Sequence, residues 1–412
     1  MSDRPRPLDG VRVLDLSWFG AGPIAMRMLA NLGADVVRIE TQRRPDGLRL
    51  VQPRPPGNAS LNVSGFYNNF NAEKRSITID LVKPEGHALG LRLVEWADIF
   101  MTNMTNRAVR QVGMTWDVVR RANPGIIGLY EPMQGLTGPR TEFIGFGAVL
   151  SAITGLNHLA GSEEEPPLGV GTNYPDYVIN PGHGVIAILA ALRQQRRTGE
   201  GQLIDMSQLE STVAAMSGPV FAWDNASVGY RREGNRVPHA APHNVYAVAS
   251  YGGDTVDRWV AIACETDEAW RALAGAIRRT DWCDDRRFAT VADRKAHEDE
   301  IDAAVGAWCA GRSGEEVVAT LRAAGVPAGM VLNAVEVLHH PHLDARDYYA
   351  WLDQLDHGRR AYDGPGFRLS ETPLELRRAA PMLGEHTLEV ATEILGLSED
   401  EIARLVADEV LY

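Results

Sequence analysis

Cysteine is scarce: Cys264, Cys283 and Cys309 are the only three in a chain of 412 residues. The count is odd and no C-x-x-C pair occurs, which sets aside a disulfide framework and a cysteine zinc site. Long apolar runs are missing as well. The longest, VIAILAAL at 185–192, falls well short of the ~20 residues that cross a bilayer. The opening MSDRPRPLDG has no apolar stretch of the signal-peptide kind. Nor is there an excess of positive charge. Against 54 Asp and Glu stand 41 Lys and Arg, a formal net charge of −13. A nucleic-acid-binding face is therefore not expected, while a local basic pocket for a phosphorylated ligand stays compatible. Internal repeats and low-complexity tracts are absent. These absences describe a reduced, cytoplasmic, soluble protein with neither membrane nor nucleic acid among its partners.

What is present is ordinary globular composition, 45% hydrophobic and 23% charged, enough chain for two or three domains at ~150 residues each. The first forty residues read strand, turn, helix, strand. VRVLDL (11–16) is a β-branched and Leu run, SWFGAGP breaks it, PIAMRMLANLGA has apolar residues at helical spacing, and DVVRIE (35–40) is the next strand. This βαβ unit implies a parallel sheet with helices on its faces. SITIDL (76–81), DIFMTN (98–103), IIGLYE (126–131) and QLIDMS (202–207) continue it as strands. NPGHGVIAILAALRQQRRTGEG is the strongest helix and stops at Gly199. Residues 227–242, rich in Arg, Gly, Asn and Pro, read as a linker. A second βα region follows, with RWVAIAC its clearest strand and DEAWRALAGAI its clearest helix.

Four groups of residues invite chemistry. Gly20-Ala21-Gly22-Pro23-Ile24-Ala25 fits the G-x-G-x-x-[G/A] dinucleotide turn, with the acidic Glu40 ending the next strand. Pro23 argues against NAD, since it removes a backbone N–H where a pyrophosphate needs donors. The alternative is a glycine turn that merely packs strand on helix. Lys74-Arg75, before a strand, are either a solvated pair or donors to a phosphorylated ligand. His339, His340 and His342 flank Pro341 and cannot all converge on one ion, so no metal is expected. Asp176, in Tyr174-Pro175-Asp176-Tyr177 several residues ahead of a helix beginning near Gly182, is a turn former or a carboxylate stabilised as an anion near a helix N-terminus, ready as a nucleophile.

Five segments in order, PLDGVRVLDLSWFGAGPIAMRMLANLGADVVRIE (7–40), NAEKRSITIDLVKPEG (71–86), YPDYVINPGHGVIAILAALRQQRRTGEGQLIDMSQLE (174–210), GVPAGMVLN (325–333) and APMLGEHT (380–387), resemble the class III coenzyme A transferases, a family that also includes the α-methylacyl-CoA racemases. The resemblance covers nearly the whole chain. It implies an α/β fold in which a large Rossmann-like domain (1–226 with 331–412) receives, after the 227–242 linker, a smaller inserted α/β domain (243–330). It implies two chains threaded as interlocked rings, an intertwined homodimer, or pairing with a homologous second chain. The Gly20 turn passes from NAD to coenzyme A. The activity implied is acyl-CoA:carboxylate CoA transfer, with Asp176 as nucleophile passing through a mixed anhydride and an enzyme–CoA thioester. Phe19 and Gly20 would line the CoA site, Lys74 and Arg75 stand beside it, Asn103 lie on its CoA side, and Arg107 and Arg110 reach for phosphates. Acyl-CoA and small carboxylic acids are then the ligands, with no metal and no permanently bound cofactor.

The chain departs from the family pattern at three places. The tetraglycine loop of the oxalate branch is absent. Glu131-Pro132-Met133-Gln134-Gly135 stands where S-G-F-G is usual. Gly145-Phe146-Gly147-Ala148 stands where the racemase branch carries a His-Asp pair, which disfavours the racemase or isomerase alternative. An NAD-dependent oxidoreductase is disfavoured by Pro23, and a non-catalytic CoA-binding partner by the retained Asp176. His243, in Ala241-Pro242-His243-Asn244-Val245-Tyr246, either faces substrate or caps a turn.

Overall fold

The structure is a computed structural model that describes residues 5–249 and 257–412. Six parallel strands form its main sheet: β1 (Arg12–Asp15), β2 (Asp35–Glu40), β3 (Arg75–Thr78), β4 (Ile99–Thr102), β5 (Ile127–Tyr130) and β6 (Leu203–Asp205). Their order is β3-β2-β1-β4-β5-β6, the doubly wound arrangement in which chain direction across the sheet reverses between β1 and β4. Ligands of such sheets bind in the crevice beyond the carboxyl ends of those two strands. Successive strand residues point to opposite faces, and both faces are covered, so the strands are apolar almost throughout. Leu14, Val37, Ile77 and Phe100 face one layer, which includes Leu89 and Leu93 of the Pro84–Trp96 helix. Val13, Val36, Ile99, Ile127 and Leu129 face the other, packed with Met26 and Leu29 of the Ala21–Asn31 helix and Ile188 and Leu192 of the Asn180–Thr198 helix.

β3 is shorter than the run expected at 76–81. Its ladder stops at Thr78; Ile79 bridges Leu411 antiparallel, and the Asp80 N–H donates to the Val410 carbonyl at 2.9 Å. The chain's last residues thus complete the edge that the strand leaves open. The Thr387–Glu393 helix packs on β3 as well, with the Thr387 hydroxyl accepting from the Thr78 N–H at 3.2 Å.

The chain divides into two compact units. One comprises Met1–Asn157, Gly169–Tyr230 and Pro341–Tyr412; the other, His158–Leu168 and Arg231–His340. The second has its own three-stranded antiparallel sheet, β7 (His243–Ala247), β8 (Trp259–Ala263) and β9 (Ala328–Met330). Its own core includes Ile262, Leu273, Val305 and Leu321, and the stacked rings of Trp270 and Trp282 lie 5.4 Å apart. Of residues 227–242, expected as a linker, 231–242 fall in this second unit, where Glu233 bridges Ser162. No helix among the described residues is long and apolar enough to cross a membrane.

Candidate active site

Asp176 does not sit in a loop ahead of a helix. Pro175–Ile179 form one π-helical turn that runs straight into Asn180–Thr198, and the Asn180 N–H closes the wide turn on the Pro175 carbonyl. Pro181 explains the widening. It has no N–H for an i→i−4 bond, and its ring would press on the carbonyl one turn back, so the ladder opens by a residue. The effect is to carry Asp176 on a π turn continuous with the 19-residue helix that follows, anchored on the sheet through Ile188 and Leu192.

Three elements meet at its carboxylate. The Gly147–Ile153 helix presents its first amide: the Gly147 N–H donates to Asp176 Oδ2 at 3.0 Å. The loop after β1 closes the opposite side. Both approaches require glycine. A Cβ on Gly147 would lie 2.6 Å from Asp176 Oδ2, and one on Gly20 would lie 2.8 Å from the Tyr177 ring and 3.3 Å from Asp176 Cβ. The third element is the Tyr177 side of the turn itself, held against Phe70 at 5.1 Å and Phe66 at 5.9 Å.

The β1 loop is tightly held. Phe19 adopts φ 59°, a left-handed conformation unfavourable for a bulky residue. Its N–H donates to Asp46 Oδ1 at 3.1 Å, while Asn103, just beyond β4, accepts from the Trp18 N–H at 2.8 Å and donates to the Trp18 carbonyl at 2.7 Å. Asn103 therefore staples the ends of β1 and β4 together at the switch point. The Phe19 ring meets Phe146 edge-on at 4.9 Å, closing an apolar wall over the Gly147 turn.

Burial pushes the Asp176 carboxyl up to about 6, against the opposing pull of the Gly147 amide. Helix-terminal stabilisation of the anion does not dominate, as the sequence alone suggested it would; desolvation outweighs it, yet the group is still ionised at neutral pH. A second carboxyl is tied to the same helix start: Gln208 donates to the Glu131 carbonyl at 2.9 Å and accepts from Asn180 Nδ2, one turn after Asp176, at 3.5 Å. Glu131 directly follows β5 and, by strand alternation, points to the face of Ile127 and Leu129, where the Asn180–Thr198 helix lies. It is fully buried, and neither carboxyl oxygen has a hydrogen-bond partner. Burial first, and the charge of Asp176 second, push it up to about 8. Gly147 and Glu131 both appear in the sequence as departures from a family pattern; nothing there indicated that both neighbour Asp176.

The other expected residues are distributed differently. Phe19, Gly20 and Asn103 gather at the crevice with Asp176. Lys74 is fully buried, its ammonium held by Asp15 Oδ2 at 2.8 Å, the Pro23 carbonyl at 2.9 Å and Asn71 Oδ1 at 3.0 Å. Arg75 is committed to Asp35 at 2.5 Å and Glu389 at 2.9 Å. Neither cation faces the crevice: Lys74 braces the turn after β1 from inside, while Arg75, at the amino end of β3, ties β2 to the Thr387–Glu393 helix. Arg107 is exposed on the Asn106–Gln111 helix. Arg110 pairs with Glu142 at 2.7 Å and lines a cleft of about 240 Å³ with Trp116 and Tyr130, on the β5 face opposite Glu131. Glu40, in the place of a dinucleotide ribose ligand, is sealed in: Arg49 donates to both its oxygens at 2.9 and 2.7 Å, and Tyr67 to one at 3.0 Å. Burial alone would raise its carboxyl, but Arg49 and Arg38 hold it at about 2. His243 bonds the Asn235 carbonyl at 2.6 Å in the second unit. Among the described residues no group of three or more His, Cys, Asp or Glu could hold a metal ion.

The crowding at Gly147 makes a direct test of geometry. Gly147→Ala suits the helix that it opens but drives a methyl against the Asp176 oxygen and Asn173 Cβ. Displacement of a reacting atom by about 1 Å costs on the order of 100-fold in rate. The expected result is a fall of that size in turnover with an unchanged melting temperature, checked by steady-state kinetics beside calorimetry.

Residues 8–387 match the family model described as CoA-transferase family III. The chain is 32% identical to the succinyl-CoA–D-citramalate CoA-transferase of Chloroflexus aurantiacus over 99% of its own length and 98% of that protein's. It is also 32% identical to the alpha subunit of that genus's succinyl-CoA–L-malate CoA-transferase, over 98% and 92% of the two chains. Among solved structures it is similar to a CAIB/BAIF family protein from Brucella suis, with a TM-score of 0.85, 27% identity, and coverage of 95% of this chain and 100% of that one.

Proposed function

The chain belongs to CoA-transferase family III, and from that premise we propose the route by which it moves CoA from a donor acyl-CoA to an acceptor carboxylic acid, with Asp176 as the nucleophile. The observation that carries this reading is the Asp176 carboxylate itself: ionised at neutral pH, oriented by one backbone amide, and closely flanked by two glycines at the sheet's switch point. An Asp176 oxygen attacks the donor thioester carbon, the C–S bond breaks, and CoA leaves as thiolate with the bonding pair. The mixed anhydride is then attacked at its aspartyl carbon by that thiolate; the C–O bond breaks and the donor acid departs as carboxylate. The aspartyl–CoA thioester reacts with the acceptor carboxylate by the same two steps in reverse, which restores Asp176. A carboxylate suits this exchange because every intermediate is an acyl compound of comparable reactivity, and no electron or net proton changes hands.

In this reading Phe19 and Gly20 shape the crevice that receives the thioester end of CoA, Asn103 holds that loop, and the exposed Arg107 and Arg110 are the candidate cations for its phosphates, Arg110 on release from Glu142. Lys74 serves from within, through Asp15 and the Pro23 carbonyl. Because relatives are named for succinyl-CoA, citramalate and L-malate, succinyl-CoA with a panel of dicarboxylic acids is the substrate set to screen first. Incubation with donor acyl-CoA alone tests the route: intact mass should rise by a CoA adduct that maps to the Asp176 peptide and is released by hydroxylamine. An adduct mapped to Asp15, Asp80 or Cys264 overturns it.

The reading extends to assembly as an intertwined homodimer of interlocked rings. Supporting it, Ile186 and Trp223 are 70% and 64% exposed, large apolar side chains that association would cover. Malate-transferase relatives named as alpha and beta subunits make a homologous second chain the alternative. Linked rings do not part without unfolding, so mass photometry should record a doubled mass down to nanomolar protein. A monomer there defeats the interlock, and co-purification of a different chain favours the alternative.

A further inference from the structure

Glu131 is a buried titratable group that CoA transfer through Asp176 does not use. It directly follows β5, its backbone fully satisfied: its N–H donates to the Thr102 carbonyl at 2.8 Å and its own carbonyl accepts from Gln208 Nε2 at 2.9 Å. Its carboxyl is completely buried and bonded to nothing. A buried carboxylate without a donor is among the costliest groups a fold can hold. Asp176, one turn before the Asn180 that Gln208 links to Glu131, has the Gly147 amide; Glu131 has none. Of two neighbouring carboxyls, one of them fully buried, both do not readily ionise, and the charge settles on the one that is offered a donor.

We propose that Glu131 is a positioning residue for Asp176: it retains the single proton of the two-carboxyl pair, so that the negative charge rests on the nucleophile. The proposal rests on Asp176 being the nucleophile. While protonated, Glu131 adds no charge to a pocket that must admit an anionic acceptor acid and bear the developing oxyanion. Once it ionises, like charge opposes both, and transfer fails. The route's atom balance is untouched, since Glu131 keeps its proton through every step.

The neighbours of Glu131 leave Asp176 as the charge acting on it. Asp205, at the end of β6, accepts from the Leu136 amide at 2.8 Å; His183, on the Asn180–Thr198 helix, bonds the Ile179 carbonyl at 3.0 Å; Asp117, from the Trp116–Ala122 helix, acts on Tyr130. The sign follows from the directions already given. Asp176 must be ionised, so activity rises as pH increases through about 6. Glu131 must be protonated, so activity falls as pH passes about 8.

The test is the pH profile of kcat/KM for wild type and Glu131→Gln, with intact-mass analysis of the donor adduct alongside. Wild type should give a bell whose alkaline limb falls about tenfold per pH unit. Glu131→Gln, neutral at every pH, should keep neutral-pH activity within a few fold, keep the acid limb and lose the alkaline one. Should the amide not fold, Glu131→Leu removes the same ionisation. An alkaline limb unchanged in the folded variant overturns the proposal and points to another group, such as Lys74, which burial pulls down to about 8. A folded variant without activity at any pH overturns it too, because holding a proton is then not the residue's role. A wild-type profile flat across the alkaline range does the same. Failure of the underlying route reads differently: the wild-type adduct is then missing from the Asp176 peptide, whatever the profiles show.

Discussion

Asp176→Ala abolishes CoA transfer in the expected result, lowering kcat/KM on the order of a thousandfold or more, because loss of a covalent nucleophile removes the reaction path and not merely one contact. The fold should survive. Asp176 is only partly buried, its single hydrogen bond is to an amide at a helix start, and the turn around it is held by Tyr177 packing on Phe66 and Phe70. Alanine also relieves a desolvated carboxylate, so the melting temperature should hold or rise. Asp176→Asn makes the sharper comparison. It keeps the shape and an oxygen for the Gly147 N–H but cannot form the anhydride, so it should match alanine in rate while binding acyl-CoA as wild type does. Asp176→Glu should also fail, by ~100-fold, since an extra methylene cannot be housed between Gly20 and Gly147 without moving the oxygen by about an ångström. Initial rates with succinyl-CoA, together with calorimetric CoA binding, separate these cases. Full activity in either Asp176→Ala or Asp176→Asn means that another residue carries the acyl group.

Lys74→Met should unfold the protein far more readily, by about 3–5 kcal/mol, the usual cost of removing one partner of a buried ion pair. The Nζ group serves three oxygens at once, on Asp15, Pro23 and Asn71. Asp15 is fully buried, and although burial would raise its carboxyl, Lys74 and Arg38 hold it below the ordinary range. Without Lys74, Arg38 at 3.6 Å and the Ser17 amide and hydroxyl are what remain to it. Adding Asp15→Asn should recover part of the loss by removing the stranded charge, a coupling that a double-mutant cycle in denaturant measures directly. Pro23 belongs to the turn that begins at Gly20, so the residual folded fraction should also turn over more slowly. Normal stability with weakened CoA affinity would instead mean that Lys74 binds phosphate and that its buried pairing is not what matters.

Much of this molecule is legible in the chain itself. Period-2 and period-3.6 patterns are local, so VRVLDL, DVVRIE and the helices between strands declare themselves without reference to anything distant, and the βαβ rhythm already implies a parallel sheet. Asp176 was likewise a candidate from the segment around it, where turn former and nucleophile both fitted, and the family resemblance supplied the role. Side-chain environment was not, because it depends on what long-range packing brings alongside. Lys74-Arg75 read equally well as a phosphate site or a solvated pair, and became neither once Asp15, Asp35 and Glu389 arrived from elsewhere in the chain. Glu40 fitted a ribose ligand until Arg49 and Tyr67 enclosed it. Pro181 could be seen in the sequence, yet only the helix docked on the sheet showed that a π turn would absorb it and carry Asp176 in continuity with that helix. Gly147 and Glu131 were oddities of spelling until β5 and two helix starts converged on one carboxylate. Local pattern determined the elements and their order; desolvation and cross-sheet proximity, which exist only in the packed state, decided which groups hold charge, which hold a proton, and which simply hold the walls.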